Sequence, residues 1–246
     1  MSDTLVLQSH KKPLRYQWLA RCINSVKFWA QSNQFDYHFL GDELFDYVPT
    51  ALLDKTKHQK IIATDLARLK AMQNYLEMGF KTVVWCDADF LIFNPNNFIF
   101  ENKPYAVGRE VWIQEENNNS RKIVAYIKVH NAFMMFQKGN SFLNFYTDTA
   151  EQLLFQNKGR MPPQFIGPKL LTAIHNVAQC PVLETAGMLS PCVIKDIAQG
   201  GGASLTLFQQ KSPQSIHAAN ICSSSYEKGE VTEEEIVKCI DILLNK

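Results

Sequence analysis

Hydrophobic and polar positions along the first ninety residues switch between two periods. "TLVLQ" (4–8) is a short apolar run with the length of a buried strand. From Leu14 to Ala30 the apolar residues fall at Leu14, Trp18, Leu19, Cys22, Ile23, Val26 and Trp29, the spacing of one helical face. "FDYHFLGD" (35–42) returns to alternation and ends in Gly-Asp. The segment "QKIIATDLARLKAMQNYLEMG" then sets Ile62, Leu66, Leu69, Met72 and Leu76 along one helical face, with Gly79 suited to its C-terminal cap. "KTVVWC" (81–86) follows as a β-branched strand. This strand–helix–strand–helix–strand order predicts an α/β fold with a mixed, largely parallel sheet flanked by helices.

After Pro95 the pattern changes. "YAVG" (105–108) and "KIVAYIKVHNAFMMF" (122–136) read as strands separated by the polar "QEENNNSRK". "SFLNFYTDTAEQLLFQN" (141–157) reads as a helix, and "PQFIGPKLLTAIHNVA" (163–178) holds another that starts near Gly167-Pro168. "QGGGAS" marks a loop before "LTLF", and Thr232 with Glu235 three residues on predicts a capping box for the closing helix "EEEIVKCIDILLN". No internal repeat, low-complexity segment or linker divides residues 1–246, so one domain is expected.

Composition narrows the classes. The 246 residues carry a formal net charge of +1, with 46% hydrophobic and 20% charged residues, an ordinary globular balance. Nothing in that balance points to nucleic acid. No window approaches the length of a transmembrane helix. "MSDTLVLQSHKK" lacks the basic start and apolar core of a signal peptide, which predicts a cytoplasmic protein. The six cysteines, Cys22, Cys86, Cys180, Cys192, Cys222 and Cys239, are scattered without a C-x-x-C pair, as reduced buried thiols would be. "NNS" at 118–120 matches a glycosylation acceptor but reads as a polar loop.

The candidate chemistry lies in "VVWCDADFLIFNP" (83–95), where an apolar strand ends in Asp87 and Asp89. In open α/β sheets ligands bind outside the carboxyl ends of the strands. Two carboxylates about 4 Å apart repel by roughly 1 kcal/mol in water and about 4 kcal/mol at an effective dielectric of 20, so the pair calls for a proton, a basic partner or a metal ion. Hard oxygen ligands suit Mg²⁺ or Mn²⁺, and such an ion can bridge a nucleotide's phosphates. An acidic turn has the same spacing. So do the aspartyl-phosphate phosphatases, whose pattern resembles DxDxT; here Leu91 stands at the threonine position and no later GDxxxD segment follows.

The longer stretch "ATDLARLKAMQNYLEMGFKTVVWCDAD" resembles the GT-A-fold glycosyltransferases, in particular the DXD-containing sugar-binding region of glycosyltransferase family 32. The matching residues are Thr64-Asp65, Arg68, Gly79 and Asp87-Ala88-Asp89. The single Gly79 and "VVWCD", in place of Gly-Gly and "IYLD", resemble the neighbouring DXD families 8 and 34. Later segments fall in the family's order: "HNAFMMF" with Asn131, "FIGPKLLT" with Gly167-Pro168, and "SIHAANICSSSY" with His217.

The resemblance implies a metal-dependent transferase that takes a sugar from a nucleotide-diphosphate donor, a UDP-sugar favoured, with retention of configuration. Residues about 1–100 would hold the nucleotide sugar, and residues about 101–246 would complete the metal and acceptor sites. Asp89 would ligate Mn²⁺ or Mg²⁺ directly, and Asp87 would bridge the metal and the ribose. Asp65 would accept bonds from donor hydroxyls, oriented by Arg68; an ordinary surface ion pair is the competing reading of those two. His217 is the expected third ligand, with His130 as backup. Asn131 could bond a sugar hydroxyl or merely serve a turn. Gln8 and Ser9 close the first strand where the base would lie, and Tyr16 and Trp18 either stack there or serve the core. Ser224 and Tyr226 would cover the donor. The glycine run at 200–202 could approach phosphates or be a flexible loop. The acceptor is a glycan, a lipid-linked sugar or a protein, with peripheral membrane contact allowed. A non-catalytic sugar- or nucleotide-binding module on the same fold is the alternative.

Overall fold

The computed structural model describes residues 2–100, 103–116 and 122–245; the "NNS" at 118–120 lies outside them. In chain order the elements are β1 (Thr4–Ser9), α1 (Gln17–Ser32), β2 (Asp36–Leu40), a 3₁₀ turn (Asp42–Tyr47), α2 (Thr50–Thr56), α3 (Lys60–Glu77), β3 (Thr82–Cys86) and β4 (Phe90–Ile92). Then come β5 (Tyr105–Glu115), β6 (Ile123–Gln137), α4 (Ser141–Gln156), α5 (Pro168–Ala178), β7 (Val182–Leu183) and β8 (Ala186–Met188). The chain closes with α6 (Pro191–Ala198), α7 (Ala203–Lys211), β9 (Ala218–Asn220), α8 (Ser223–Glu227) and α9 (Glu233–Leu244).

A six-stranded sheet runs β2-β1-β3-β6-β5-β7. Among the described residues three of its five pairings are parallel, β2/β1, β1/β3 and β5/β7. β6 runs antiparallel to both β3 and β5. β3 is buried at every position because both faces are covered. Val83 and Trp85 join Leu5 and Leu7 under α3, while Val84 and Cys86 join Val6, Val26 and Trp29 on the opposite side. A third cluster packs the start of α1 against α6 and α9.

α3 buries more than the predicted stripe. Besides Ile62, Leu66, Leu69, Met72 and Leu76, the polar Asp65 and Arg68 are enclosed. It ends as expected at Gly79, whose φ of +121° an L side chain rarely adopts.

β5 is longer than the sequence pattern suggests. Between Val107 and Gly108 its register against β6 jumps, Val107 pairing with Met134 and Gly108 with His130. The chain can make this step because the His130 ring fills the space where a β-carbon on Gly108 would stand. The jump leaves Asn131, Ala132 and Phe133 without partners on β5, on the stretch of β6 that meets the end of β3.

A small sheet, β4-β9-β8, ties the C-terminal part of the chain to the segment just after the aspartates, pairing Phe90 with Asn220 and Ile92 with Ala218. The glycine run leads directly into α7. Gly202 packs on the Asp196 carboxylate, which accepts the Leu205 amide at 2.9 Å, so the run serves a helix start. Thr232 and Glu235 form the predicted capping box of α9. All six cysteines are free thiols. Among the described residues no helix is long and apolar enough to cross a membrane.

Candidate active site

β3 delivers Asp87 to the edge of a cavity of about 900 Å³. Its main chain is fixed on both sides: the Asp87 amide donates to the Ala132 carbonyl (2.8 Å), and its carbonyl accepts the Gln8 amide (3.0 Å). Gln8 in turn accepts the Tyr37 hydroxyl at 2.9 Å. Gln8 is fully buried and both ends of its side chain serve this scaffold. Ser9, one residue on and facing the other way, lines the cavity instead. The expectation that Gln8 meets the nucleotide is corrected to a supporting role behind Asp87.

Arg68 is the centre of the charged cluster. Its Nη1 lies 3.0 Å from Asp87 Oδ1 and donates to the Asn131 carbonyl at 2.9 Å, while Nη2 lies 3.3 Å from Asp65 Oδ1. Asn131 donates its side-chain amide to the same Asp65 oxygen at 2.9 Å. Trp85 packs beneath the guanidinium, 5.3 Å from ring centroid to Cζ, and its indole N–H donates to Asp87 Oδ1 at 2.7 Å. Asp65 and Arg68 are therefore not a surface pair. Asp65 Oδ2 and Arg68 Nε are buried without a hydrogen-bond partner among the described residues. Burial pushes the Asp65 carboxyl above the usual carboxylate range, against the pull of Arg68 and Asn131. Burial works against the charge on Arg68 too, but Asp87 and Asp65 outweigh it and hold the guanidinium protonated.

Asp89 is held from the far end of the chain. Asn220 donates its amide to Oδ1 and the Ser223 main-chain N–H donates to Oδ2, each at 2.7 Å. Burial raises this carboxyl, the Asp87 charge raises it further, and the bonds from Ser223 and Asn220 oppose both. Ala88, between the two aspartates, lines the cavity with them.

Three carboxylates thus face one guanidinium, an excess of negative charge that a divalent cation would neutralise. No group of three or more His, Cys, Asp or Glu side chains gathers for a metal ion among the described residues. Two strand-terminal carboxylates nonetheless fit Mg²⁺ or Mn²⁺, because such ions take one or two protein carboxylates and complete their shell with phosphate oxygens and water.

The other expected site residues divide. Asn131 lines the cavity and braces Asp65. Gly167 caps α5 and packs so closely on the Asp65 carboxylate that a β-carbon there would collide with it. Ser224 lines the cavity, but Tyr226 on the same short helix turns away, packing edge-on against Tyr16 (4.8 Å) and Trp18 (6.2 Å). The three aromatic residues serve a core rather than a base or donor.

His217 stands elsewhere. Its carbonyl accepts the Phe93 and Asn94 amides, whereas the Ile221 amide meets the Asp89 carbonyl, so the antiparallel register separates His217 from Asp89 by four residues, about 13 Å of strand. It lines a second cavity with Asn94. His130 is fully buried, with Nε2 against the Ala186 carbonyl (3.2 Å) and Nδ1 accepting the Ala132 amide (3.1 Å), so neither nitrogen is available to a metal. Leu91, at the position where a phosphatase would carry threonine, is a core residue. Trp85, Asn220 and Ser223 were not expected; Asn220 lies three residues past His217, and only the strand register shows which of the two meets Asp89.

No protein-family model and no curated protein matches this chain. Among solved structures, similar ones include a glycosyltransferase involved in the glycosylation of the major capsid of PBCV-1, at 12% identity and a TM-score of 0.49, covering 92% of this chain and 96% of that one. The galactosyltransferase LgtC, in complex with donor and acceptor sugar analogs, is 11% identical with a TM-score of 0.48, covering 97% and 95%. Mouse xyloside xylosyltransferase 1 is 9% identical with a TM-score of 0.41, covering 91% and 98%.

Proposed function

We propose that the cavity at the end of β3 is the donor site of a metal-dependent glycosyltransferase of GT-A type. It takes a hexose from a nucleotide-diphosphate sugar, a UDP-sugar favoured, and passes it to a hydroxyl of a glycan, lipid-linked sugar or protein. The observation that carries the reading is the convergence of Asp65, Arg68, Asp87 and Asn131 within hydrogen-bond reach of one another, with Asp89 beside them on the same cavity wall. The family resemblance of the same residues adds retention of anomeric configuration.

The chain's own groups have distinct work. Asp65, with an acceptor oxygen unspent, orients hydroxyls of the donor sugar. Arg68 holds Asp65 and Asp87 in fixed relation and stays charged throughout. Asn131 fixes Oδ1 of Asp65 from the middle of β6, at the register jump, beside the sugar. Asn220 and Ser223 keep Asp89 in one orientation. Asp87 and Asp89 would hold the divalent cation, whose charge would offset that growing on the departing diphosphate.

The test incubates the protein with UDP-glucose, UDP-galactose, UDP-N-acetylglucosamine and GDP-mannose plus Mn²⁺ and measures nucleoside diphosphate release. One donor should turn over, EDTA should stop it, and Asp89→Ala should slow it by about a hundredfold or more, the scale of losing one preorganised charge-stabilising group. Release of phosphate from p-nitrophenyl phosphate, dependent on Asp87 and indifferent to nucleotide, would replace this reading with a phosphatase. Saturable donor binding without turnover in the presence of hydroxyl acceptors would leave a binding module.

A further inference from the structure

Part of the cavity wall takes no part in holding the aspartate cluster. Beyond the register jump, β5 and β6 continue as a two-stranded antiparallel ribbon. Val111 and Ile113 point into the core. Alternation therefore puts Glu110, Trp112 and Gln114 on the other face, and the register sets Lys128 opposite Glu110 and Tyr126 opposite Trp112. Directly opposed residues share a face. All five line the same cavity as Asp87 and Asp89.

Trp112 and Tyr126 stand opposite each other in the strand register, and Tyr126 is 45% exposed. Polar groups edge the rings. The Trp112 indole donates to Gln114 Oε1 at 3.2 Å, leaving that amide's N–H₂ as a donor, and the Lys128 ammonium lies 5.7 Å from the centre of the Tyr126 ring. Glu110 lies beside Lys128, which lowers its carboxyl against the stronger upward push of burial. The carboxylate and ammonium balance, which suits a neutral ligand better than an acidic or a basic peptide. A neutral ligand with flat C–H faces and hydroxyls around its rim is a pyranose: the rings would take the C–H face, and the carboxylate, ammonium and amide would take the hydroxyls.

We propose that this ribbon face is a saccharide-binding subsite, and that it seats the acceptor beside the donor. Its role as acceptor subsite rests on the transferase reading above; its binding of a saccharide does not.

Tryptophan emission gives the readout. Trp18, Trp29 and Trp85 are each 1% exposed, so an added neutral sugar reports chiefly on Trp112. The titrants are maltose, cellobiose, lactose, mannobiose and chitobiose, each with and without UDP and Mn²⁺, with affinities followed by calorimetry. At least one disaccharide should change the emission saturably, and Trp112→Ala should weaken its affinity by about tenfold, the scale of one lost aromatic contact. Tyr126→Ala, at an exposed position that the fold tolerates, should weaken it similarly. If none of the sugars binds while UDP and Mn²⁺ raise the melting temperature, the ribbon subsite is wrong and the donor site stands. If a sugar binds through Trp112 and no nucleotide binds, the saccharide site stands and the transferase reading fails. Affinity unchanged in both variants, or binding of charged peptides in place of sugars, overturns the inference.

Discussion

Arg109 and Arg68 anchor two ion pairs built to opposite plans. Arg109 meets Glu184 in a two-point fork, Nε to Oε2 at 2.8 Å and Nη2 to Oε1 at 2.6 Å, and donates a further bond to the Lys128 carbonyl at 3.2 Å. One cation meets one anion with both carboxylate oxygens engaged, the strong geometry for such a pair. Arg68 meets two carboxylates through single contacts, leaves its own Nε and one Asp65 oxygen without partners among the described residues, and feels Asp89 as a third negative group. A pair that only holds the fold together closes its charges on itself. The Arg68 cluster leaves negative charge over at a cavity wall, where the proposed cation and donor would meet it.

The largest effect should come from removing each arginine. Arg68→Met strands the buried Asp65 together with the partly exposed Asp87 and should cost about 3–5 kcal/mol of stability. Arg109→Met strands one partly exposed glutamate and should cost about 1–3 kcal/mol. Urea unfolding measures both, and UDP binding should be lost only in the first. Equal costs with equal loss of binding would erase the contrast.

His130 sharpens it next, because both arginines act on this ring. Burial first, then the charges of Arg109 and Arg68, lower its pKa to about 4. The unfolded ring takes its proton near pH 6.5. The stability held in the neutral ring is thus complete above about 6.5 and is lost as pH falls toward about 4, some 3 kcal/mol in all. Asp65 and Asp89 act with the opposite sign: their raised carboxyls add stability that is full below the ordinary carboxylate range and is lost as pH rises through their folded values. NMR titration of the His130 ring isolates its share; a midpoint near 6.5 would contradict a buried neutral ring.

A smaller effect is expected at Gly167. A β-carbon there would press on the Asp65 carboxylate, so Gly167→Ala should cost about 1–3 kcal/mol and weaken donor binding. Gly159→Ala meets open space and should change stability by no more than about 0.5 kcal/mol, with donor binding intact. The smallest effect belongs to Lys81 and Asp3, 2.7 Å apart but largely exposed, where Lys81→Ala should cost at most about 1 kcal/mol by the same urea assay.

The Asp65–Arg68–Asp87–Asp89 cluster was legible in sequence because its parts are neighbours in the chain. Asp65, Arg68, Asp87 and Asp89 lie on one helix and the end of the next strand, and the apolar periods of both were plain. What encloses them was not legible. Asp89 is gripped by Asn220 and Ser223 through a three-residue strand, "AAN", too short to show a period. His217 drew attention in that segment, but the antiparallel register sends it to the other end of the strand pair. Gln8 and Ser9 differ by one position, and strand alternation sends the first inward and the second to the cavity. The β6 half of the ribbon is legible as a strand, but the β5 half is not, because a glycine and charged residues after Val107 read as the end of a strand where the register jump instead lets β5 continue.

The most direct test of the central claim is a thermal melt with UDP, with and without Mn²⁺, on the natural chain and on Asp89→Ala. Ligand at 100 times its Kd adds about 2.7 kcal/mol, which in a chain of this size raises Tm by about 5–10 °C. The account predicts a rise that needs both UDP and Mn²⁺ and disappears in Asp89→Ala. A rise of the same size without Mn²⁺, or one that survives Asp89→Ala, would contradict it.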